Sequence, residues 1–151
     1  MSIIVKTMVC LIAVPVTVFG LYVVSHGHLT PGGGFPGGTV IATLVALMLV
    51  AFGKGAGGKL GGRGFLSSLE SIGLFLFAFV AFLGMGSTFF GNFLANTGGI
   101  FGDPVAFGSN PGNVNTGGVI PFMNLAVGLE VFAALSLIIL IMFTHSKEDT
   151  P

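Results

Sequence analysis

Few side chains in this sequence could do chemistry. The 151 residues include five Lys or Arg, five Asp or Glu, three His and a single Cys. Glu130 stands 11 residues after Val119 and 13 before Phe143, near the middle of an apolar run without Lys, Arg or Asp. If that run crosses a bilayer, an acid at its centre costs about 2.5 to 3.5 kcal/mol on insertion scales, so it must face protein or water. It would then either carry ions or hold two helices together. Ala126, Ala133 and Ala134 lie at i−4, i+3 and i+4 from it and offer a face that a second helix can approach closely.

Glu70 ends the run Ser67-Ser68-Leu69-Glu70, which matches the capping box S-x-x-E and predicts the start of a helix, with an ion entrance as the other reading. His26 and His28 form His-x-His, but two imidazoles do not close a zinc site, and no metal or cofactor is expected. An interfacial His28 hydrogen-bonded to the glycine run that follows it is the expected arrangement. Cys10 has no second thiol to pair with and should serve packing. Gly53-Lys54-Gly55-Ala56-Gly57-Gly58-Lys59-Leu60 nearly spells a phosphate-cradling loop, yet Leu60 stands where the magnesium-holding hydroxyl belongs, so it reads as a basic turn. Asn124 is expected to bond between helices, and Pro15 to kink the first one.

The elements that position these residues follow from composition. The chain is 53% hydrophobic and 7% charged, with a mean hydropathy of +1.03. Soluble domains carry about a quarter charged residues, so an ordinary soluble enzyme is excluded. Zero net charge excludes nucleic acid as a partner, since phosphate binding needs a basic field. Four apolar runs, Thr7 to Ser25, Thr39 to Phe52, Ile72 to Phe90 and Val119 to Phe143, predict an all-α integral membrane domain with four transmembrane helices over about 3–25, 36–53, 69–90 and 119–143. The second run is short by itself and must start near Pro36 or follow a glycine segment that dips into the membrane. Lys6, Lys54, Lys59, Arg63 and Lys147 all fall at one side of such a bundle, placing both termini and the loop 54–68 in the cytoplasm, and the loops 26–35 and 91–118 outside. The first run is longer than a signal-peptide core of about 7 to 15 residues and lacks an Ala-x-Ala site, so it is expected to stay as a span.

The segment Gly27-His28-Leu29-Thr30-Pro31-Gly32-Gly33-Gly34-Phe35-Pro36-Gly37-Gly38, behind an apolar helix that ends Phe19-Gly20-Leu21-Tyr22, resembles the signature of the B-type subunit of multi-subunit Mrp-type (Mnh) Na+/H+ antiporters. The order of four helices and the overall length are similar too. Related subunits occur in the antiporter modules of membrane-bound hydrogenases and sulfur-reducing complexes. The resemblance carries over to His28, Pro31, Gly32, Gly33, Gly34, Phe35, Gly37 and Gly38, and does not extend to Glu130 or Glu70. It implies a small plasma-membrane subunit, non-catalytic alone, among other membrane subunits that exchange Na+ for H+. Two roles compete within that frame. Glu130, with His28 and Glu70, lines an ion path, or the chain is a scaffold packing adjacent subunits; a self-assembling small pore is a more distant reading.

Overall fold

The computed structural model describes residues 2–53, 62–86, 88–105 and 113–145. Four helices make up most of it: α1 (Ile3–Ser25), α2 (Gly34–Phe52), α3 (Gly62–Leu83) and α4 (Ile120–His145), with no strand among the described residues. All four are long and apolar enough to cross a membrane.

Local chemistry sets most of the helix ends. The Ser2 hydroxyl accepts from the Val5 amide at 3.4 Å and caps α1. α1 ends where the His26 amide closes on the Tyr22 carbonyl, just before Gly27, which does not favour its continuation. α2 begins at Gly34, because Gly33 turns the chain at φ 111°, a region closed to residues with a side chain. Pro36 lies in the first turn, where its missing N–H is no loss. The motif glycines are thus helical, and they lengthen the second span to 19 residues, about 28 Å. No dipping loop is needed to complete the crossing.

α3 departs from the sequence expectation. It starts at Gly62, so Ser67 is no cap and Glu70 lies inside the helix. The Ser68 and Ser71 hydroxyls donate back to the carbonyls of Gly64 and Ser67, four residues earlier, as helix-interior serines do. A glycine costs a helix about 1 kcal/mol, but backbone groups entering a membrane must be paired, and helix satisfies them. Arg63 holds this first turn against α4 by donating from Nη2 to the Thr144 hydroxyl at 2.6 Å. α3 ends in a short 3-10 turn, Gly84–Gly86, rather than running on to Phe90.

In space the helices stand in the order α1, α2, α4, α3, with α2 packed between α1 and α4 and α3 on the far side of α4. The bundle has two distinct ends. The α1–α2 loop and the segment before α4 meet at one, here termed the motif end. The other, the basic end, holds Arg63 and Lys6, whose ammonium lies 5.8 Å from the centroid of the Phe52 ring. The best-buried core is near the basic end, where Val45 and Leu49 of α2 meet Leu66 of α3 and Leu140 of α4. Much of the rest of α1 and α3 exposes large apolar side chains, such as Leu11, Val14, Phe75 and Phe82, as a surface facing lipid or protein does.

Candidate functional site

The glycine motif is first of all a packing device. A Cβ built on Gly38 would lie 2.6 Å from the Gly128 carbonyl oxygen and 3.2 Å from the Phe132 amide nitrogen, and one on Gly34 would meet the Asn124 carbonyl oxygen. These two positions, four residues apart, share a face of α2 and bring its backbone against α4. Gly37 faces the other way, where a Cβ would be 2.7 Å from the Gly20 carbonyl oxygen of α1. Three neighbouring glycines therefore let one helix touch two others at backbone distance. Pro31, Gly32 and Phe35 are exposed, so these three motif residues face outward from the chain.

His28 sits above this junction. Its ring packs on Gly117, and Nε2 lies 3.4 Å from the Asn113 carbonyl oxygen. Its partner is therefore the segment that leads into α4, and not the glycine run expected from sequence. That segment is held in place by Asn92, whose amide donates to the Gly117 carbonyl at 3.1 Å and whose oxygen accepts from the Val119 amide at 2.9 Å. His26 stacks on Tyr22 with ring centroids 4.3 Å apart. Asn124 reaches out of α4 toward Gly27 and Gly33, as an interhelical polar residue should, although its Nδ2 makes no hydrogen bond among the described residues. The Nδ1 atoms of His26 and His28 are likewise buried without partners among the described residues.

Glu130 lies on a different seam, between α3 and α4. A Cβ on Gly73 would be 2.8 Å from the Glu130 amide nitrogen, 2.9 Å from Glu130 Cβ and 3.0 Å from the Ala126 carbonyl oxygen. Gly73 is the missing surface opposite the small-residue face of α4, on which Ala126 and Ala133 are buried. Sequence reasoning passed over it, although an isolated glycine in an apolar helix marks a close helix contact. The Glu130 side chain is half-buried and has no hydrogen-bond or ionic partner among the described residues. Glu70, also half-buried, precedes Gly73 by three residues. Helical spacing thus puts Glu70 on the side of α3 that carries Gly73. His28 does not join Glu130: it touches Gly117, and Glu130 comes ten residues into α4, about 15 Å deeper.

Among the described residues no group of three or more His, Cys, Asp or Glu could hold a metal ion. Cys10 is exposed on α1 and does not pack inside the chain. The phosphate-loop lookalike lies outside the described residues beyond Gly53.

Four apolar helices, closed on each other through glycines and opening large apolar faces outward, define a multi-pass helical membrane protein. Its residues 4–137 match the family model described as a domain related to the MnhB subunit of Na+/H+ antiporter, and the chain belongs to that family. The resemblance carried by the glycine motif is borne out. An uncharacterized protein of Methanocaldococcus jannaschii is 34% identical to it over 135 residues, which cover 88% of this chain and 49% of that protein. The chain therefore spans about half the length of this relative.

Proposed function

We propose that the chain is a small plasma-membrane subunit of a Mrp-type cation/proton antiporter module, with the α3–α4 seam contributing to the ion path. The carrying observation is Glu130, a half-buried acid in mid-span with no partner among the described residues, set where Gly73 brings a second helix to backbone distance. An acid that served only to tie α3 to α4 would be hydrogen-bonded across that contact. In a membrane an acid without such a bond has a reason to exist if it meets water, ions or a neighbouring subunit. Glu70 extends the polar lining toward the basic end. His28 belongs to the other end, where it meets the segment that precedes α4.

Family membership supports companions drawn from other antiporter subunits, and Na+ and H+ as the ions moved. The scaffold reading has its own support in the motif, where Gly34, Gly37 and Gly38 pack α2 against its two neighbours. The exposed Phe35 and Pro31 are then the surface offered to a neighbour. Both readings require an assembly. Isolation of the tagged chain from its own membranes in mild detergent tests that requirement. The expected result is co-purification of larger membrane subunits in a particle that exchanges Na+ for H+ after reconstitution. Nickel with iron and acid-labile sulfide in the particle would identify a hydrogenase arm, and iron and sulfide alone a sulfur-reducing one. A chain that purifies by itself as a stable oligomer would overturn the subunit reading in favour of a small pore.

A further inference from the structure

One stripe of α4 changes character halfway through the membrane. Near the basic end it is closed: Ser136 is fully buried, and Leu140 lies under Val45, Leu49 and Leu66. Toward the motif end the same stripe, at the i+3 and i+4 spacing, continues through Phe132, Leu129, Leu125 and Phe122. There Leu125 is 59% exposed. Between this half of α4 and α1 runs a groove of about 520 Å3, walled by Leu21 and Tyr22 on one side and by Phe122 and Leu125 on the other, with Phe101 and Val114 completing it. A second hollow of about 170 Å3 shares Leu21 and Leu125 and carries the groove on to Leu129 and Phe132.

The dimensions select the occupant. From Phe122 to Phe132 the groove is ten residues long, about 15 Å, half the roughly 30 Å hydrocarbon thickness of a bilayer. A membrane-crossing helix of another protein would continue past Phe132, where the stripe is already covered. A lipid tail ends at the midplane, as the groove does. The polarity agrees. The walls are apolar along the groove, while Tyr22 and Ser25 line it in the last turn of α1, at the level where a membrane helix meets headgroups. We propose that this groove seats one acyl chain of a phospholipid from the leaflet at the motif end, with Tyr22 and Ser25 at the height of its headgroup. The inference requires only that the helices span a membrane and is independent of the antiporter reading.

The test uses the chain in its native assembly, placed in phosphatidylcholine vesicles doped with a phosphatidylcholine that carries a diazirine midway along one acyl chain. After illumination, mass spectrometry locates the adducts. They are expected on Leu125 and Leu129 at about fivefold the density found on the outward residues Phe75 and Phe79 of α3, the enrichment that about 1 kcal/mol of preference gives. Leu125→Trp should remove them while leaving adducts elsewhere unchanged, and Leu21→Trp, which fills the groove from the opposite wall, should do the same. Adducts no denser in the groove than on the open faces, or insensitive to both tryptophans, would overturn the proposal. So would a photoreactive side chain at Leu129 that cross-links to another polypeptide.

Discussion

Gly38 and Gly64 differ only in what surrounds them. A Cβ at Gly38 would lie 2.6 Å from a carbonyl oxygen of α4, whereas one at Gly64 meets nothing within 4 Å among the described residues. Gly38→Val should therefore force α2 off α4 and cost about 1 to 3 kcal/mol. Gly64→Ala should leave stability unchanged or raise it by up to about 1 kcal/mol, because alanine loses less freedom in a helix. Thermal unfolding of the two variants in the same detergent separates these expectations, and equal melting temperatures would refute the packing role of the motif. That the motif mattered was legible in the sequence, because its glycines are too many and too close for an ordinary turn. What they touch was not, since Gly128 and Asn124 are some ninety residues away and only the fold brings them near. Glu130 stood out for the opposite reason. A charge in an apolar run is conspicuous by itself, whereas Gly73, which defines its surroundings, is one glycine among 26.

The segment that joins α3 to α4 shows what an element needs beyond its own sequence. It reads as a loop that would be mobile in isolation, yet Asn92 pins its end with two hydrogen bonds and Phe101 stacks edge-on against Phe122 of α4, with centroids 4.7 Å apart. Asn92→Ala should release residues 113–119. Loss of two hydrogen bonds worth about 1 kcal/mol each corresponds to at least tenfold faster amide exchange there. Protection in α2 should stay as it was, and unchanged exchange at 113–119 would show that Asn92 is no clamp. The early start of α3 carries a related lesson. Gly61, Gly62 and Gly64 signal a turn in water, so the capping-box match at Ser67 looked like the natural beginning. The pairing demanded of backbone near a membrane, together with the Arg63 bond to Thr144, extends the helix through Gly62 and Gly64.

At the scale of the whole molecule, the number of spans was readable because about 20 apolar residues are what a bilayer requires, and the four runs are widely separated. Their spatial order was not, because apolar faces do not encode which neighbour they meet. Orientation rests on charge alone: the distribution of basic residues argues for the Arg63 end in the cytoplasm and the His28 end outside. With Cys10 replaced by Ser, a cysteine introduced at Gly99 should react with a membrane-impermeant maleimide on intact cells, and one at Gly64 only after lysis. The reverse pattern would invert the bundle and put the motif end inside.

On the proposed reading the α3–α4 seam moves ions, a claim that Glu130→Gln tests because it removes the ionisable group and keeps the shape. The measurement is Na+-driven proton movement in vesicles containing the intact assembly, with subunit content verified on the same preparation. The expected result is loss of exchange with the assembly preserved, and partial recovery with Glu130→Asp. Full exchange in Glu130→Gln, at undiminished assembly, would contradict the claim and leave the chain a scaffold held together by its glycines.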